Sequence, residues 1–220
     1  KSYTKNGKII IMKTQFKITG LYYELQGYKF RKYLDIKKVN SELKSPDLMV
    51  VMMNPGASVP IDKNYDGRKE TPAKPDKTQE QIMRIMDILH FEYAKILNLS
   101  DIIESNSNEF YKKIVELDRK GIAHSIFDKG RTNDFNSLFQ PYTPVIYGWG
   151  VNSNLKNLAL KAMSACKPNH AAGVLKANSN WAYYHPLPRV HKKQQEWVQK
   201  TYEELLVSLF TESPYYPRNN

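Results

Sequence analysis

Asp47-Leu-Met-Val-Val-Met-Met-Asn54 is an unbroken apolar run closed by Asn54-Pro55-Gly56. A short run without polar alternation, bounded by turn residues, is the pattern of a strand buried on both faces, as in a parallel sheet. Beyond it, residues 56–77 are polar and carry Pro60, Pro72 and Pro75, which reads as a loop. Asp76 and Thr78 are candidate caps for a helix in which Ile82, Ile85, Met86 and Leu89 share one stripe. Tyr93-Ala-Lys-Ile-Leu-Asn98 reads as a second strand, and Phe110, Ile114 and Leu117 as a helix stopped at Gly121. Pro144-Val-Ile-Tyr-Gly-Trp149 reads as a third strand, followed by a helix carrying Leu155, Leu158 and Ala162. A last strand falls on Gly173-Val-Leu-Lys176 or on Trp181-Ala-Tyr-Tyr184, before a helix over about 191–210 with Val198, Tyr202, Leu205 and Leu209. Upstream, Thr14–Thr19 and Tyr28–Leu34 alternate around Gly27 and are strand-rich. Strands alternating with helices predict one α/β domain over residues 1–220, a three-layer α/β/α sandwich around a central, mainly parallel four-stranded sheet. Residues 1–13 read as a basic N-terminal extension.

Composition narrows the class. The 220 residues include 41% hydrophobic side chains, with 15 Tyr, 8 Phe and 3 Trp, enough for a substantial core and against wholesale disorder. No apolar run approaches the roughly 20 residues of a membrane span, and Ile9-Ile10-Ile11 is too brief for a secretory core, so a soluble, cytoplasmic protein is expected. A single cysteine, Cys166, excludes an internal disulfide framework and a cysteine-rich metal centre, and reads as a small buried residue. The five histidines (90, 124, 170, 185, 191) lack metalloprotease spacing, and no phosphate-cradling glycine loop is present, so neither metal nor cofactor is expected. Lys and Arg number 33 against 22 Asp and Glu, a net charge of +11 that points towards polyanions, nucleic acid above all.

In α/β sheets of this kind, ligands bind beyond the carboxyl ends of the strands. Four signatures fall there in order: Asn54-Pro55-Gly56, Asn98, Trp149-Gly150 and His185-Pro186. Taken one at a time, each has a plain alternative. Asn-Pro is common turn punctuation, His185 can be a structural histidine, and Gly56 can simply serve the turn. Arg189, His191, Lys192 and Lys193 cluster at a helix start, suited to phosphate contacts or to solvation alone. The loop carrying Arg68, Lys69, Lys74 and Lys77 either covers a pocket or is a surface excursion. Tyr65, Phe91, Tyr183 and Tyr184 are candidates for stacking on a base.

These landmarks resemble the uracil-DNA glycosylase superfamily. Met52-Met-Asn-Pro-Gly56 is similar to the first motif of mismatch-specific uracil and thymine DNA glycosylases. Ile96-Leu-Asn98-Leu resembles the segment that reads the base, Val145-Ile-Tyr-Gly-Trp-Gly150 the strand end that follows it, and His185-Pro-Leu-Pro188 the His-Pro-Ser-Pro motif. The series also resembles an uncharacterised bacterial branch of that architecture. The resemblance implies a monofunctional DNA N-glycosylase that flips a base out of single- or double-stranded DNA and hydrolyses its glycosidic bond. Asn54 would position water and His185 would donate to the leaving base. Pro55, Gly56, Asn98, Trp149 and Gly150 would hold the base; Pro186, Leu187, Pro188, Arg189, His191, Lys192, Lys193, Arg68 and Lys69 would hold DNA.

Two departures carry meaning. Strict uracil enzymes place a tyrosine where Gly56 stands, so Gly56 implies a pocket open to damaged or 5-modified pyrimidines. Leu187 replaces the usual serine, and Arg189 stands where many members place a leucine wedge. The context would be base-excision repair, or defence against phage DNA carrying modified cytosine. The competing classes are a non-catalytic nucleic-acid-binding protein of the same fold and a hydrolase of free nucleosides or nucleotides.

Overall fold

The apolar run becomes β3 (Leu48–Met52), every residue of which is buried. The computed structural model describes residues 15–62, 65–168 and 171–211. The basic extension expected over 1–13 and His170 lie outside the described residues. In chain order the strands are β1 (Phe16–Leu25), β2 (Tyr28–Lys38), β3, β4 (Thr71–Pro72), β5 (Tyr93–Asn98), β6 (Val145–Gly148) and β7 (Ala171–Ala172). The helices are α1 (Lys77–Leu89), α2 (Ser107–Arg119), α3 (Thr132–Leu138), α4 (Lys156–Cys166) and α5 (His191–Thr211).

The strands form one sheet in the order β4-β1-β2-β5-β3-β6-β7. It is mixed and seven-stranded, where four mainly parallel strands were expected. β3 pairs in parallel with β5 and β6, and β6 with β7, whereas β1, β2 and β4 join antiparallel on the β5 side. The difference has a physical cause. Without the hairpin, β5 would present an open edge of backbone donors and acceptors, although all six of its residues are buried. β2 closes that edge through Leu34↔Ile96 and Ile36↔Ala94. The last strand is also displaced: only Ala171–Ala172 pair with β6, and Tyr183 makes isolated bridges to Gly150 and Leu175 instead.

Each face of the sheet carries its own core. Val50, Ile96, Leu34 and Ile36 pack with Ile82 and Ile85 of α1 and with Trp197 and Leu205 of α5. Met49, Val51 and Leu97 pack with Phe110 and Leu117 of α2, Phe135 of α3 and Leu158 of α4. Period-2 side-chain alternation along the strands produces this split. Among the described residues, no helix is long and apolar enough to cross a membrane.

The loop after β5 is fixed by a buried charge network. Asp101 is fully buried, receives a hydrogen bond from the Tyr23 hydroxyl at 3.2 Å and pairs with the Arg131 guanidinium. Burial pushes its carboxyl up to about 6 against the pull of Arg131. Its backbone carbonyl accepts from the Arg31 N–H at 2.8 Å, tying the loop to β2. Arg131→Met leaves this carboxylate buried without its countercharge, and should lower unfolding stability by about 3–5 kcal/mol in denaturant titrations. Adding Asp101→Asn removes the stranded charge and should recover most of that loss.

Candidate functional site

The register of the parallel strands builds the site. Met52 lies level with Asn98 on one side and Gly148 on the other, so three carboxyl ends stop abreast. The loops leaving them, the start of α1 and the His185 loop enclose a cavity of about 490 Å³. That size suits a small heterocycle or nucleotide fragment. Asn54, Pro55, Gly56, Trp149, Gly150 and His185 all border it.

Asn54 is oriented by backbone. Its Nδ2 donates to the carbonyl of Glu104 at 2.6 Å and approaches that of Ile102 at 3.4 Å. Two carbonyl acceptors fix which end of the amide is nitrogen, so Oδ1 is the end left to accept from a ligand or water. The turn after it needs Gly56, whose φ is +62°. A Cβ at Gly56 would meet no heavy atom within 4 Å, so the cavity is open on that side.

His185 is half-buried and equally constrained. Its Nδ1 accepts from the Leu187 N–H at 3.1 Å, which places the ring proton on Nε2. Burial pushes its pKa below the ordinary 6.5, although Asp76 opposes the shift. The loop around it is held on several sides. Gln81 Nε2 reaches the Pro186 carbonyl at 3.3 Å, Gln194 Nε2 the Pro188 carbonyl at 2.8 Å, and Trp197 Nε1 the Tyr184 carbonyl at 2.9 Å. Gly148 admits this loop, since a Cβ there would stand 3.0 Å from Pro186 Cδ.

Trp149 is fully buried with its Nε1 spent on the Trp181 carbonyl at 2.9 Å, so it offers the cavity a ring and not a donor. Asn98 sits just behind the lining. It is fully buried, and neither its Nδ2 nor its Oδ1 has a partner among the described residues.

The outer residues are less concentrated. Leu187 borders the cavity, whereas Pro186 is buried beneath it and Pro188 and Arg189 lie outside its lining. His191, Lys192 and Lys193 are exposed in the first turn of α5. Arg68 and Lys69 are exposed, and their backbone N–H groups donate to Asp66 at 2.9 and 3.2 Å. The four aromatic candidates for stacking all lie elsewhere. Phe91 is in the core, Tyr65 donates to Glu24, Tyr183 packs on Trp149 and Tyr147, and Tyr184 is exposed. Tyr111 and Trp149 are the aromatic rings in the lining. His124 is a core histidine held by Ser100 and Asp118. Cys166 is buried with its thiol pushed up to about 12, so it is not a nucleophile at neutral pH.

Lys77, from the loop expected either to cover a pocket or to be a surface excursion, does border the cavity, whereas Arg31 of β2, Asp76, Thr78 and Gln79 at the start of α1, Ser105 and Tyr111 were not read as site residues. Asp76 caps α1 and forms a capping box with Gln79. That pattern is visible in the chain, but its place at the cavity is not. Among the described residues, no group of three or more His, Cys, Asp and Glu side chains converges.

The depressed His185 pKa has a consequence for stability. The unfolded chain takes up this proton near 6.5, before the folded protein does. The contribution of His185 is therefore complete above 6.5 and lost as pH falls below it. Nitrogen-15 NMR should show the Nε2–H tautomer with a midpoint under 6.5, and His185→Asn should flatten the acid limb of the stability curve.

The family described as "Protein of unknown function (DUF1643)" matches residues 33–187, and the chain belongs to it. The match runs from within β2 to Leu187 and takes in the ends of β3, β5 and β6 at the cavity, but not Arg31. No curated protein and no solved structure matches the chain.

Proposed function

We propose that this DUF1643 protein is a monofunctional DNA glycosylase of the uracil-DNA glycosylase type, acting on an extruded, damaged or 5-modified pyrimidine. The modified cytosines of phage DNA are included in that class. The observation that carries the reading is the pair of pre-oriented neutral groups on one cavity, Asn54 Oδ1 as acceptor and His185 Nε2–H as donor. The parallel run β5-β3-β6-β7 supports it, because it supplies the central four-stranded unit that this fold type would need.

The proposed reaction uses these groups in sequence. Breaking the bond between C1′ and the base nitrogen sends the electron pair to the base and leaves an oxocarbenium-like sugar. His185 donates a hydrogen bond to a ring oxygen as charge develops there. Asn54 accepts from a water and aims it at C1′. An amide cannot take the proton, so positioning is its whole contribution, which suffices when the bond is nearly broken before water adds. The water's second proton passes to solvent. The open side at Gly56 leaves room for a 5-substituent. DNA would be gripped through exposed cations near the mouth, Lys77 in the lining and Arg189, Lys192 and Lys193 beside the His185 loop.

A single-turnover assay across uracil, thymine mismatch, hydroxymethylcytosine and glucosylated cytosine, in duplex and single strand, tests this reading. Alkali-labile abasic sites are expected with at least one substrate. Asn54→Ala should slow their formation about 10²-fold while salt-dependent DNA binding persists. Gly56→Tyr, at a modest cost of about 1–2 kcal/mol for the left-handed backbone, should reject bulky 5-substituents first. Binding without base release from any substrate would favour a non-catalytic binding protein. Release from free nucleosides alone would favour a nucleoside hydrolase.

A further inference from the structure

A guanidinium placed against a core costs stability unless its donors are met. Arg31 is 2% exposed, yet Nε and Nη1 have no partner among the described residues. Its position is set by the β1–β2 register, which slips between Leu21 and Tyr22. Lys32 is left unmatched and reaches Asp134 at 3.0 Å, while Arg31 pairs with Tyr22, a member of the same core as Leu34 and Ile36. Burial opposes its charge, countered by a side-chain hydrogen bond with Tyr22 and by the more distant Asp76 and Asp101, and no ion pair reaches it among the described residues.

Arg31 borders the cavity that Asn54 and His185 line. On the adjacent strand, Asn98 is level with Met52 and two residues from Ile96, both in the lining, so strand alternation puts its side chain on the cavity's face. Both of its polar atoms are also unmet. Unpartnered buried donors beside a cavity mark the place where a ligand completes the hydrogen bonding.

We propose that Arg31 receives an anionic ring oxygen of a planar pyrimidine-type ligand, with Asn98 meeting the ring's polar edge. The identity of the ring rests on the glycosylase reading; the preference for an anion rests on Arg31 alone. In the reaction, the bonding pair that leaves C1′ becomes negative charge on the ring oxygens of the base. Arg31 holds that charge without transferring a proton, because a guanidinium keeps its own in proteins. The base takes up its proton from solvent after release. The leaving base thus meets a fixed cation as well as the neutral His185 donor.

Calorimetric titration of the full chain with 5-nitrouracil, an anion at neutral pH, and with neutral thymine tests the inference. The anion should bind at least about tenfold more tightly than thymine, as expected for a hydrogen bond to a charged group. Arg31→Gln should abolish that preference while changing thymine affinity less than about threefold, with melting temperature unchanged or raised because a buried unpaired charge is gone. Asn98→Asp, which sets a negative charge on the cavity's face of the adjacent strand, should weaken the anion selectively and serves should Arg31→Gln fail to fold. Equal affinity for the two rings, no binding of either, or a preference that survives these changes would overturn the inference. Base release from DNA without an Arg31-dependent preference overturns it while sparing the glycosylase reading. The preference without base release from any substrate does the reverse.

Discussion

β3 can occupy only one register. All five of its residues are buried and neighbours flank both edges, so a slip by one residue would exchange the side chains meant for the α1–α5 core with those meant for α2–α4. That register puts Met52 beside Asn98 and Gly148. The carbonyls of Met52 and Met53 then accept from the N–H groups of Leu99 and Ser100, which keeps the outgoing loops together after the strands end. Asn54 finds the Ile102 and Glu104 carbonyls because those loops run side by side. The site is therefore a consequence of strand pairing, and a local change in either loop acts on Asn54 before it acts on the fold.

The legible part of the chain was its buried strands. Leu48–Met52, Tyr93–Asn98 and Val145–Gly148 are short apolar runs ending in turn residues, and they became β3, β5 and β6. Periodicity of this kind reports burial directly, so the residues at the strand ends were readable with them. Pairing partners were not. Alternation in 14–19 and 28–34 announces strands but says nothing of which edge they close. Ala171–Ala172 carries almost no strand signal, while the aromatic Trp181–Tyr184 segment carries more and packs as a loop. Arg31 was hidden for a related reason: a one-residue slip in pairing reverses the face an alternating strand assigns to each side chain. Helix caps were legible at Asp76, yet nothing in the order of residues says that this cap meets a cavity.

The molecule spends its polar burial unevenly. Asp101, Asp35 and His124 are buried with partners: Arg131 and Tyr23 for the first, Lys95 and Tyr93 for the second, Ser100 and Asp118 for the third. Such networks fix geometry. Arg31 and Asn98 depart from this pattern, and both lie at the cavity end of their strands. Two such side chains on neighbouring strands at one cavity are the mark of a site kept at the expense of stability.

The division of charge within the cavity fits that view. Asn54 and His185 are both neutral, and their orientations are fixed by backbone atoms, so neither changes with modest shifts in pH. In the proposed reaction they would face the sugar and the breaking bond, where a full positive charge would repel the oxocarbenium-like carbon. A cation is useful only farther along the base, where the electron pair ends up. Arg31, on β2 and beyond the β5 strand end, stands on the side of the cavity away from the Trp149 and His185 loops. A fixed charge there would draw electrons towards the base without touching the sugar, and burial would keep solvent from screening it.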